Sequence, residues 1–130
     1  MQAISLWQPW ASLIALGIKK HETRSWSTSY RGALAIHAAK RWEYEQQNFL
    51  EDILDDYPAI GMTPPRGVML CICKLTGVYR TQDVARQISA DDYYFGDYSP
   101  GRFAWRLEVV EVFNPPIPVR GAQGLWNWER

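Results

Sequence analysis

The sequence predicts an α+β fold in which a curled, mainly antiparallel β-sheet carries a few flanking helices, laid out as a single domain over residues 1–130. Three observations lead there. Apolar runs of strand length recur along the chain, helical spacing is confined to a few short segments, and no internal repeat or linker composition divides it. A chain of 130 residues buries one real core but not two independent ones.

Ala3 to Leu6 reads as a short buried strand. Pro9 then sits at the first position of a helix, and Trp10, Leu13, Ile14 and Leu16 recur at helical spacing until Gly17, a natural left-handed stop. Lys19 to Trp26 has the length of a strand but is almost entirely polar, so strand propensity does not account for it and the segment marks a site. Tyr30-Arg31-Gly32 is a turn. Ala33 to Ala38 follows as a strand, with Leu34 and Ile36 on one face and Ala33, Ala35 and His37 on the other. Trp42, Phe49, Leu50, Ile53, Leu54 and Tyr57 form one apolar helical stripe whose intervening acids face solvent, and Pro58 with Gly61 to Gly67 ends that helix.

Val68 to Val78 is the most apolar run and reads as the central strand. Thr81 is suited to cap a short helix through Ile88, and Asp91 to Arg102, rich in Asp, Tyr, Ser, Pro and Gly, reads as a mobile loop. Phe103, Trp105, Leu107 and Val109 alternate with Ala104, Arg106 and Glu108, the period of a half-buried strand. Val109-Val110 breaks the alternation and predicts a bulge. Pro115, Pro116 and Pro118 end that strand, and Leu125 to Trp128 supplies a last short one.

The 14 basic and 14 acidic side chains cancel, which argues against a protein that grips long duplex DNA by net attraction. Their distribution is uneven. Residues 1–42 carry six Lys or Arg against the single acid Glu22, whereas 43–56 carry six acids and no base, so a basic face adjoins an acidic helix able to meet a protein partner. Seven Trp and seven Tyr exceed what a small core needs and suit stacking on planar ligands; the plainer reading is that they fill the interior.

No run approaches the roughly 18 apolar residues of a membrane span, and the first residues lack a signal-peptide pattern, so a cytoplasmic protein with no membrane partner is expected. Cys71 and Cys73 fall on one side of a strand, which indicates no disulfide framework. With His21 and His37 far away in sequence, no metal or cofactor is expected. Gly-rich phosphate loops, HExxH and nucleophile elbows are absent.

Gly17 to Arg24 concentrates three bases, one acid and an imidazole directly after the helix stop. In a regular strand Lys20, Glu22 and Arg24 share one face and Lys19, His21 and Thr23 the other. Lys19 and Glu22 therefore converge only if Lys19 still lies in the turn, or if a bulge intervenes. Together they can hold a phosphate, orient a base edge or act as acid and base; the alternative is a charged edge strand with surface ion pairs of little worth. Arg24 suits bidentate phosphate contact, and Lys19 a point charge or a general base. Trp7 and Trp26 suit stacking on a base, although Trp7, beside Leu6 and Trp10, also fits core packing. His37 leaves room for a ligand on its alanine face but reads first as a satisfied interior histidine. Arg31, Lys40, Arg41, Arg102 and Arg120 are secondary candidates for backbone contacts.

Ser5-Leu6-Trp7-Gln8-Pro9-Trp10-Ala11, then Gly17-Ile18-Lys19 with Glu22-Thr23-Arg24, resembles the signature of the ASCH (activating signal cointegrator homology) family, a QPW or QPY element before G-x-K-x-x-E-x-R. The resemblance continues through Arg31-Gly32, Ala35 to Lys40, Arg66-Gly67-Val68, Pro118 to Gly121 and Leu125-Trp126, in order over nearly the whole chain. It implies a PUA-like barrel whose cleft, between barrel and helices, binds RNA, a nucleotide or a modified nucleoside. Lys19, Glu22 and Arg24 are then the motif residues, and Trp7, Gln8, Pro9 and Trp10 form one wall. A related branch of the fold hydrolyses an acyl amide on modified cytidine with a motif Lys and a Thr three residues later, and ribonuclease activity has been proposed in the family. Here Glu22 stands where that Thr would be, with Thr23 on the wrong parity to replace it, so Lys19 and Glu22 are the acid and base pair if the chain is an enzyme.

Overall fold

A computed structural model describes residues 1–130. Its six strands, β1 (Gln2–Leu6), β2 (His21–Arg24), β3 (Gly32–Ala38), β4 (Val68–Arg80), β5 (Phe103–Pro118) and β6 (Trp126–Asn127), form one mixed sheet in the order β2-β5-β4-β3-β1-β6. Every pairing is antiparallel except that of β1 with β3. The expected α+β class and mainly antiparallel sheet are present, but the sheet is not closed into a barrel. Its edges are β2, of four residues, and β6, of two, and strands so short offer too few backbone groups to pair across a seam.

Bulges bend the two long strands. Cys73 pairs with Val109 and Ile72 with Glu111, which leaves Val110 as the extra residue where the broken alternation predicts it. The prolines do not end β5, which runs on to Pro118. β2 and the residue before it cover β5 only from Phe103 to Leu107, so beyond that the outer edge of β5 is free and a residue without an N–H forfeits no ladder bond there.

Four short helices accompany the sheet: α1 (Trp10–Ala15), α2 (Tyr44–Ile53), α3 (Thr81–Val84) and α4 (Ala90–Tyr94). None is long and apolar enough to cross a membrane. Pro9 stands one place before the first helical residue, and Gly17 at φ 74° stops α1 as its sequence suggests. Gln46 begins α2 by accepting from the Glu43 amide at 2.8 Å. Thr81 is not a cap: its buried hydroxyl lies 2.8 Å from the Ser99 carbonyl and 3.2 Å from that of Arg102, and the helix it opens stops at Val84. The expected loop from Asp91 contains the body of α4, whose start is fixed by Ser89 Oγ accepting from the Asp92 amide at 3.1 Å.

Ile4, Leu6, Leu34, Ile36, Leu75, Trp105 and Leu107 pack under Ala11 and Ile14 of α1, with Cys71 and Cys73 buried in the same cluster. Full burial of a side chain of that size contributes about 1.5 to 3 kcal/mol. Ala3, Ala35, Met69, Phe113 and Trp128 form a second cluster. A third, of Leu13, Leu50, Ile53, Ile60 and Phe95, joins α1 and α2 to the end of α4.

His37 ties β1 and β3 to the segment that follows β5. Its buried ring donates from Nε2 to the Val119 carbonyl at 2.7 Å and accepts at Nδ1 from Ser5 Oγ at 2.9 Å, a pattern that requires the neutral imidazole. Burial pushes its pKa below the ordinary 6.5, partly opposed by the bond to Val119. The unfolded chain therefore takes up this proton first, so the stabilisation is complete above pH 6.5 and is lost as pH falls below it. Between about pH 6.5 and the lowered value, stability should drop by up to about 1.4 kcal/mol per pH unit relative to His37→Gln, read from paired thermal melts. Parallel pH profiles for the two proteins would refute the neutral clamp.

Candidate functional site

The polar segment after α1 folds inward because the turn is one residue longer than a strict strand allows. The amides of Ile18 and Lys19 both donate to the Leu13 carbonyl at 3.0 Å, so Lys19 belongs to the helix stop and β2 begins only at His21. The parity conflict disappears: Lys19 Nζ lies 3.7 Å from Glu22 Oε1, with its side chain 1% exposed, and donates to the Phe95 carbonyl at 3.0 Å. Burial pushes the Lys19 pKa below 10.5, while the charges of Glu22 and Asp92 pull it back up. On the other side of Glu22, Arg24 Nη1 is 3.7 Å from Oε2. Both cations thus flank the carboxylate at ion-pair distance rather than in tight hydrogen bonds.

Asp92 supports this arrangement, and sequence reasoning missed it. Its Oδ1 accepts from the Lys20 amide at 2.8 Å, and its Oδ2 from His21 Nδ1 at 2.6 Å. Burial alone pushes the Asp92 carboxyl up, but the His21 bond, the Lys20 amide and the nearby Lys19 charge hold it below 3.8. Asp92 thereby fastens α4 to the start of β2. Asp97 continues the attachment, its amide donating to Thr23 Oγ1 at 3.0 Å. The pattern Ser89-x-x-Asp92, a helix-start signature, is the signal in the sequence that marks this element.

Between β2, the two longer helices and residues 94–97 lies a cleft of about 420 Å³. Trp10 and Phe49 stack along one wall at 4.7 Å with 12° between their planes, and Tyr94 continues the stack 5.6 Å from Phe49. Glu22, Thr23, Arg24, Glu45, Asp97 and Arg102 supply its polar groups. A second, larger cleft of about 1060 Å³ opens on the far side of Trp7 and Arg24, which line both.

Of the residues singled out by sequence, Trp7, Trp10, Glu22, Arg24 and Arg102 therefore meet at the first cleft, with Lys19 buried beneath Glu22. Trp7 is not a core residue: it is 43% exposed, with the Arg41 guanidinium 4.4 Å over its ring. Gln8 and Pro9 are buried behind the wall. The Gln8 amide nitrogen donates to Ser12 Oγ and to the Pro65 carbonyl, both at 2.7 Å, which leaves that side chain a structural role. Trp26 packs edge-on against Trp105 at 4.8 Å, and Arg31 bonds the carbonyls of its own turn. His37 and Lys40 lie on the second cleft. Thr23, set aside on parity, lines the first. Phe49 and Tyr94 were missed as site residues because each stands among residues that also suit a core stripe or a turn.

This sheet, helix bracing and inward-turned charged segment define an α+β protein, and its structural neighbours fit a PUA-like fold. The solved ASCH protein of Zymomonas mobilis matches it with a TM-score of 0.58 at 19% identity, covering 99% of this chain and 87% of that one. A mutant of the same protein matches at 0.59 and 18% identity, over 99% of this chain and 87% of its own. The chain belongs to the ASCH domain family, whose model matches residues 4–117, and that family is commonly linked to RNA binding. It is also 53% identical over 38 residues to human activating signal cointegrator 1, a stretch of 29% of this chain and 6% of that protein. The mouse protein is 57% identical over 35 residues, 27% of this chain and 6% of its own. The match spans only a small part of those relatives' length.

Asp92→Ala should lower the unfolding free energy in urea by about 3 to 5 kcal/mol, since it leaves a buried imidazole donor and a backbone amide without their carboxylate. A loss below about 1 kcal/mol would mean that other contacts hold α4 in place.

Proposed function

We propose that the smaller cleft binds a base of single-stranded RNA or of a modified nucleoside. One observation carries the reading: Glu22 stands at the cleft, 13% exposed, between two cations that it touches only at 3.7 Å. Its carboxylate keeps acceptor capacity free for the exocyclic amine of a base. Arg24 is under-satisfied as well. It makes one long bond to the Ser5 carbonyl at 3.4 Å, and its buried Nε–H has no partner. The stacked wall of Trp10 and Phe49 offers a flat apolar surface for the ring, and the volume falls within the usual range of ligand sites.

Hydrolysis of RNA or of an acylated cytidine is a second reading, favoured by one feature of the same place. The depressed Lys19 ammonium beneath Glu22 is suited to exchange a proton with that carboxylate, the pairing needed for general acid and base work.

Titration of the native tryptophan fluorescence with nucleosides and short RNAs should show quenching, stronger for cytidine and adenosine than for uridine. Trp10→Ala should weaken binding by about 1 to 3 kcal/mol, and Glu22→Gln should remove the preference for an amine. No quenching by any nucleoside or RNA at low salt would overturn the binding reading. Chromatography of the same mixtures tests the second: a cleaved product that disappears in Lys19→Ala supports hydrolysis, and an unchanged yield removes Lys19 from it.

A further inference from the structure

The two clefts that meet at Trp7 and Arg24 differ in charge. Three carboxylates, Glu22, Glu45 and Asp97, face the smaller one beside its aromatic wall. The larger one is lined by Lys40, Arg120 and Arg24 and by no carboxylate at all. Lys40 and Arg120 have no carboxylate partner, and Arg24 meets Glu22 only at 3.7 Å, so an anion is the ligand such a surface favours.

The protein fixes part of this cleft from below. Gly121 lies so close to the interior clamp that a Cβ there would stand 2.6 Å from both the His37 ring and Ser5 Oγ. With Val119 bonded to His37, the backbone on both sides of Arg120 is held against the sheet, and its exposed guanidinium stays at the cleft. Lys40 is braced in its turn: its aliphatic stem runs over Gly67, where a Cβ would come within 2.8 Å of Cε, and its carbonyl accepts from Arg66 Nη1 at 2.8 Å. Arg24, with its unpartnered Nε–H, stands where the two clefts join.

We propose that the larger cleft is the phosphate half of a two-part nucleotide site, which holds the phosphodiester backbone flanking the base bound in the smaller one. The proposal rests on the base-binding reading for its first half. Arg24 bridges base and phosphate, Lys40 and Arg120 take the phosphate oxygens, and the half-exposed Trp7 ring forms the ridge over which the sugar passes. At about 1060 Å³ the cleft exceeds the needs of one phosphate, so the occupant is a continuing single strand of RNA rather than a free mononucleotide.

The test compares cytidine, its 5′- and 3′-monophosphates and a short oligocytidylate by fluorescence titration at low and high salt. It uses the wild-type chain and the double variant Lys40→Glu with Arg120→Glu. Both positions are exposed, so the fold should tolerate the change, which circular dichroism verifies. One monophosphate should bind about tenfold or more tighter than cytidine, and the oligonucleotide tighter again, with both gains lost at high salt and in the double variant. Affinity for cytidine itself should be the same in the two proteins. Equal affinity for cytidine and all its phosphorylated forms, or gains that survive the double reversal, would overturn the phosphate site. Phosphorylated ligands that bind and are lost in the double variant, with cytidine not binding at all, would uphold the phosphate site and remove the base-binding reading instead.

Discussion

A buried ammonium organises this molecule. Lys19 is held out of water by a carbonyl, a carboxylate and the apolar floor of the helices, and a cation without such partners would cost far more than one side chain can supply. Each neighbouring feature follows from keeping it satisfied. The turn after α1 stays wound through Lys19, β2 starts late, Phe95 must present its carbonyl, and Asp92 must fasten α4 beside the strand. That attachment also brings Tyr94 next to Phe49 and completes the aromatic wall.

The consequence for chemistry is a carboxylate that is reachable and only loosely held. Glu22 faces the cleft while Lys19 and Arg24 hold it from two sides, and Arg24 reaches on to a second cleft whose own lining carries no acid. Two stretches far apart in the chain, the motif segment and residues 118–124, thus meet at one guanidinium. A membership in a family linked to RNA binding agrees with that division of labour without dictating it.

Much of the fold was legible because its signals are local. The alternation from Phe103 and its failure at Val110 mark both a strand and its bulge, and Gly17 marks the end of α1. What the residues could not tell depended on partners remote in sequence. Whether Lys19 meets Glu22 turns on two amides sharing the Leu13 carbonyl, whether prolines end β5 on which of its edges is paired, and whether the sheet closes on the length of its edge strands. The site was half visible. Its motif residues stood out because they break strand propensity, whereas Asp92 lay in a run whose composition fits a loop as well as a helix, and only Ser89 three residues earlier distinguished them.

Direct observation of the Lys19 side-chain resonances by NMR, followed through alkaline pH, reports on that burial more directly than any binding assay. An ammonium enclosed with Phe95 and Glu22 should lose its proton below the ordinary 10.5. A midpoint unshifted from 10.5 would put this side chain in solvent and leave the cleft without the group on which it is built.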